Sequence, residues 1–141
     1  MELGELANTW RGFKYWSEDQ EPRARVKDCH CLKFDEAHCG CGYKNPLLEE
    51  YVDCLHFILS IGLDIQVRIP KEVISRVEED TITQFIDTIT QASISYAETQ
   101  WEWLLSLFLG LGEQLGFTWE EVEQAYFQKN KINHERQENG Y

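Results

Sequence analysis

The stretch Asn45-Pro46-Leu47-Leu48-Glu49-Glu50-Tyr51-Val52-Asp53-Cys54-Leu55-His56-Phe57-Ile58-Leu59 sets acidic side chains inside an otherwise apolar helical pattern. Asn45 suits a helix cap, Pro46 suits the first helical position and Gly62 offers a stop. Glu50 and Asp53 are three residues apart and share a face, while Leu47, Leu48, Leu55, Ile58 and Leu59 supply apolar stripes for packing. Two carboxylates on a half-buried face repel each other and lose hydration, a cost that cations between them remove. A second pair with the same spacing, Glu2 and Glu5, opens the chain in Glu-Leu-Gly-Glu-Leu-Ala. Two helices of this kind can form a four-carboxylate cage with room for Mg²⁺ and a polyphosphate. On spacing alone, two solvated helix faces are the commoner outcome.

A chain of 141 residues fits one domain with one core. Its 13 basic against 25 acidic residues give a net charge of -12, which argues against a nucleic-acid backbone as partner. A small anionic substrate remains compatible if metal ions bridge it. No apolar run reaches bilayer length and no basic-then-apolar leader opens the sequence, so the expectation is a cytoplasmic protein with no membrane partner.

Residues 2–15 read as a helix, with Leu3, Leu6, Ala7 and Trp10 on one side. Between 17 and 44 periodicity gives way to charge, Pro22 and glycine, a long loop with its own local order. Pro70 is expected to begin a short helix to about residue 79, and Ile82, Phe85, Ile86 and Ile89 mark another over 81–94. Ser95 with Glu98 reads as a capping box for a helix to 115, stopped by Gly116, and Thr118 with Glu121 opens the last one. Trp101, Leu104, Leu105, Phe108 and Leu111 are too many for one face, which predicts burial on two sides, as at an oligomer interface. The fold class is therefore all-α, a bundle of about five helices.

Within the long loop, Cys29-His30-Cys31 and Cys39-Gly40-Cys41 could bring four thiolates around a structural Zn²⁺, with His30 and His38 as spare ligands. That reading is weighed above ordinary reduced thiols, with disulfides behind both. Cys54, on the apolar helix, reads as core packing. The tail from Lys129 through Lys131 and Arg136 to Tyr141 concentrates cations in an acidic protein, which suits either a solvated helix end or a strap over a phosphate chain.

Glu-Leu-Gly-Glu-Leu-Ala-Asn, Phe13-Lys14-Tyr15-Trp16-Ser17 and Leu48-Glu49-Glu50-Tyr51-Val52-Asp53-Cys54-Leu55-His56-Phe57 resemble segments of the dimeric all-α dUTPases, relatives of the MazG-type pyrophosphohydrolases. Gly112-Glu113-Gln114-Leu115-Gly116-Phe117-Thr118-Trp119 and the segment from Lys129 to Gln137 resemble that family's closing helix. The resemblance implies a homodimer that hydrolyses dUTP, and dUDP, to dUMP with Mg²⁺. It places metal ligands at Glu2, Glu5, Glu50 and Asp53, with Glu5 or Glu2 also orienting or deprotonating the attacking water. It places Lys14 and Trp16 near base and phosphates, His56 and Phe57 beside the sugar, and Lys129, Asn133 and Arg136 on the phosphate side, with Tyr141 a weaker match. In that family a further helix precedes the first glutamate pair and contacts uracil, so this chain, opening at Met1, is expected to lack it. The cysteine-bearing loop reads as an insertion. For His56 a hydrogen-bonded core histidine stands beside the ligand reading, and for Trp10 core packing is the expectation. The alternatives are a MazG-like enzyme acting on another nucleotide and a non-catalytic, zinc-stabilised helical interaction module.

Overall fold

The protein was analysed as a computed structural model that describes residues 2–28, 42–68, 70–94 and 97–140. Five helices carry the described chain: α1 (Glu2–Trp10), α2 (Pro46–Asp64), α3 (Thr81–Ala92), α4 (Glu98–Gln114) and α5 (Trp119–Asn139). A short antiparallel ladder joins β1 (Val26–Lys27) to β2 (Tyr43–Lys44), pairing Val26 with Lys44 and Lys27 with Tyr43. The all-α class and the helix number agree with the sequence reading.

Local chemistry explains most helix starts. Asn45 accepts from the Leu48 amide at 3.1 Å, Pro46 follows it, and α2 begins there. Thr118 and Glu121 form the expected reciprocal capping box of α5. For α3 the cap is Asp80, whose carboxylate accepts from the Ile82 and Thr83 amides at 2.9 Å each. Gly116, with φ at +84°, terminates α4 in the conformation glycine tolerates best.

The core sits between α2 and α4, closed by α1, α3 and α5. Tyr51, Leu55 and Ile58 of α2 meet Leu104, Phe108 and Leu111 of α4, with Leu6, Phe85 and Val122 added by the other three helices. Burying each such side chain contributes roughly 1.5–3 kcal/mol. Two aromatic polar groups in this layer are paired. The Tyr51 ring stacks on Phe108 with centroids 4.3 Å apart while its hydroxyl donates to the Phe108 carbonyl at 3.0 Å. The Trp101 indole N–H donates to the Ile58 carbonyl at 2.7 Å. Trp10, partly buried, packs on Phe85 at the edge of the core.

Four expectations are corrected. The first helix ends at Trp10 rather than 15, because Arg11 turns left-handed (φ 68°) and ties its guanidinium to the Asp19 carbonyl. Gly62 does not stop α2; it lies inside the helix, buried where the Trp101 indole occupies the space a Cβ would need. The helix runs on to Asp64 and Gln66 (φ 57°) makes the left-handed exit. Residues 70–80 form an extended segment, not a helix, because their backbone groups pair outward. The Arg76 amide donates to the Ser106 carbonyl at 2.9 Å, and buried Gln84 donates to the Arg76 carbonyl and accepts from the Glu78 amide. The helix over 81–94 closes at Ala92.

The two-sided burial expected of α4 is met within one chain, by α3 on one flank and α2 on the other. Its N-cap is Ala97, without a side-chain hydrogen bond. Ser95, Tyr141 and the Cys29–Cys41 cluster with His30 and His38 lie outside the described residues. The backbone on either side of that cluster is held together, since the Asp28 amide donates to the Gly42 carbonyl at 2.9 Å next to the β1–β2 ladder.

Candidate active site

α1 lies against α2, and the packing of Leu6 with Leu47 and Tyr51 in one core brings the first-turn glutamates of α1 over the N-terminal part of α2. Glu2, Glu5 and Glu50 each turn one carboxylate oxygen into a group in which all lie within 4.8 Å of one another. Glu2 and Glu50 are partly buried and Glu5 is exposed. Burial, then the charges of Glu5, Asp53 and Glu2, hold the Glu50 carboxyl above its ordinary pKa, and the Lys129 ammonium partly offsets them. Cys54 sits behind the cluster, where burial pushes its thiol up and keeps it protonated.

Asp53 points elsewhere. Its carboxylate accepts from Lys129 Nζ of α5 at 2.8 Å, with both side chains about 30% accessible (31% and 27%). α5 crosses α2 at this level and lays two adjacent stripes against it. Asn130, Asn133, His134 and Gln137 line a cavity of about 270 Å³ with Asp53, His56, Phe57 and Ser60. Lys129, Ile132 and Arg136 border a second one of similar size with Glu49 and Val52. Asp53 belongs to the first and Lys129 to the second, so their ion pair joins the two.

His56 projects into the first cavity. Its Nδ1 lies 2.9 Å from the Val52 carbonyl. A carbonyl only accepts, so Nδ1 carries a proton, and in the neutral imidazole Nε2 is then the acceptor. Nε2 is buried without a hydrogen-bond partner among the described residues. The ring stacks on Tyr126 with centroids 4.1 Å apart. A buried acceptor left unpaired beside a polar cavity calls for a donor.

Of the sequence candidates, the fold gathers Glu2, Glu5 and Glu50 in one cluster, and Asp53, His56, Phe57 and Asn133 around one cavity. Lys129 and Arg136 stand at the neighbouring cavity. Lys14 and Trp16 are not brought to these walls; Trp16 is 76% exposed and packs edge-on against Phe13. Tyr126, Asn130 and Gln137 were not singled out from the sequence as site residues. Their spacing with Asn133, a polar stripe at helical intervals below an aromatic, is the signal that could have found them.

A larger cavity, about 630 Å³, is a different place. Leu55, Leu59, Leu105, Leu109, Trp119 and Tyr126 make it apolar, and none of the four carboxylates reaches it. Size therefore does not identify the site here; the convergence of carboxylates does.

Three carboxylate oxygens at this spacing are a donor set for a hard divalent cation such as Mg²⁺, which takes oxygen ligands. No helix among the described residues is long and apolar enough to cross a membrane. No curated protein and no solved structure matches the chain. A family model described as dUTPase matches residues 1–30 and 30–141, so the chain belongs to the all-α dUTPase family and is a dUTP diphosphatase, a nucleotide pyrophosphohydrolase.

Proposed function

We propose that this chain hydrolyses dUTP, and also dUDP, to dUMP with Mg²⁺ held by Glu2, Glu5, Glu50 and Asp53. The observation that carries the reading is the convergence of Glu2, Glu5 and Glu50 from two helices into one cluster. Bound there, Mg²⁺ would neutralise phosphate charge and make water more acidic. Glu5, the exposed member, is free to orient the attacking water, and Glu2 beside it holds the geometry. Lys129 and Arg136 offer cations to the phosphate chain from the adjoining cavity. His56 Nε2 accepts from a sugar hydroxyl, with Phe57 and Asn133 around it. Lys14 and Trp16 join this reading through the family resemblance and reach the nucleotide from the loop after α1. The Cys29, Cys31, Cys39 and Cys41 thiolates holding a structural Zn²⁺, a homodimer, and a cytoplasmic location complete it.

The test is hydrolysis of dUTP and dUDP with Mg²⁺ and with a chelator, run beside dTTP, dCTP and UTP with products separated. Selective formation of dUMP only with Mg²⁺ is expected. Equal turnover in chelator would remove the metal site from the mechanism, and equal turnover of other nucleotides would favour a broader pyrophosphohydrolase. Sedimentation of the same preparation should give twice 16.6 kDa.

A further inference from the structure

We infer that Lys129 is a built-in counter-cation that holds Asp53 away from the glutamate cluster until a metal ion competes for it, and so sets the metal affinity of the nucleotide-free enzyme. The inference rests on the metal-site reading above and adds a positioning residue to it. Its basis is an asymmetry between four carboxylates on neighbouring turns. Glu2, Glu5 and Glu50 converge, whereas Asp53, one helical turn after Glu50, is outside their group. Asp53 is still near enough for its charge to raise Glu50, and Lys129 acts on Glu50 in the opposite sense.

What holds Asp53 is a direct ion pair, 2.8 Å long, from a helix that reaches it across 76 residues of sequence. An ammonium cannot share the same carboxylate oxygen with a divalent cation without strong repulsion. Recruiting Asp53 to a metal therefore requires Lys129 to leave. Lys129 already lines the cavity that also holds Arg136, so a short swing of a flexible four-carbon stem exposes its charge there. Metal entry thus frees a cation on the side where the phosphate-binding reading puts the polyphosphate, and the two events become coupled through one side chain. Because the pair is partly exposed, its strength lies at the modest end of such interactions, which suits a contact that must break in every cycle.

The experiment is titration of Mg²⁺ or Mn²⁺ into the nucleotide-free full chain, read by calorimetry. The variants are Lys129→Met, Lys129→Arg, Asp53→Asn, the Lys129→Met/Asp53→Asn double variant, and Glu50→Gln. Lys129→Met should tighten metal binding by about fivefold, the factor corresponding to the upper range for a partly exposed ion pair. Lys129→Arg, which keeps the pair, should stay near the parent. The gain from Lys129→Met should vanish in the Asp53→Asn background, because the lock needs both partners. A gain of the same size with Asp53→Asn would mean simple through-space repulsion and would overturn the lock. So would unchanged or weaker binding in Lys129→Met while Glu50→Gln still abolishes it, an outcome that leaves the metal site standing. If the parent binds no metal, or Glu50→Gln binds as the parent does, the metal-site reading fails and the lock falls with it.

Discussion

Glu50 is held uncomfortably: burial and three neighbouring carboxylates oppose its ionisation, and one ammonium helps it. Its folded pKa is raised above the ordinary value of 4.5. A carboxyl of this kind contributes stability below its unfolded pKa and loses it as pH rises through the folded one. The metal-free fold at neutral pH is therefore destabilised by the charge that a metal would use. Glu50→Gln should raise the metal-free melting temperature at pH 7, lose that advantage below pH about 4, and show no further stabilisation by Mg²⁺. Removing a partner one step outside a metal shell already costs 10–100-fold, so turnover should fall by at least about 100-fold. Thermal melts with and without Mg²⁺ check the first part and steady-state rates the second; a lower metal-free melting temperature would sink the electrostatic explanation.

At the level of single helices, caps determine where the chain turns. Asp80 accepts two backbone amides and the Thr83 hydroxyl, and these hydrogen bonds hold its carboxyl below the usual range. Glu121 is lowered in the same way by Thr118. Carboxylates with depressed folded pKa values contribute stability above their unfolded pKa and lose it as pH falls through the folded one. Asp80→Asn keeps the accepting oxygen and removes the titration. Between pH 5 and pH 2.5, roughly the window below the ordinary Asp value, urea midpoints of Asp80→Asn should fall less than those of the parent; parallel losses would place the acid sensitivity elsewhere. The Thr118–Glu121 box was legible because both partners are three residues apart. The Asp80 cap was equally local but lay hidden just after a segment, 70–79, that Pro70 marks as the start of a helix.

That segment belongs to the scale of the whole molecule. It is extended because α4 offers a glycine where it passes: a Cβ on Gly110 would run into the Arg76 carbonyl, and Gln84, Ser106 and Gln114 take up the backbone polar groups around it. Gly110→Ala forces backbone to move in a packed layer and should cost about 1–3 kcal/mol of unfolding free energy, read from the urea midpoint at constant slope. An unchanged midpoint would mean the segment is free to shift. Pro70 gave a sound reason to expect a helix start, but only the neighbouring helices show that the hydrogen bonds of 70–80 go outward.

The sequence by itself determined the five-helix, all-α class and most helix starts, because caps, prolines and apolar periodicity act within a turn or two of the residues that carry them. It also named Glu50 with Asp53, and Glu2 with Glu5, as pairs, since i, i+3 spacing guarantees a shared face. Tertiary structure decided what those pairs face. The packing of α1 on α2 brings Glu2 and Glu5 to Glu50, and the crossing of α5 gives Asp53 to Lys129 instead. The same crossing sets Tyr126 on His56, while Lys14 and Trp16, on the loop after α1, line neither cavity. These outcomes depend on interhelical distances and side-chain directions between residues remote in sequence, which no local pattern encodes.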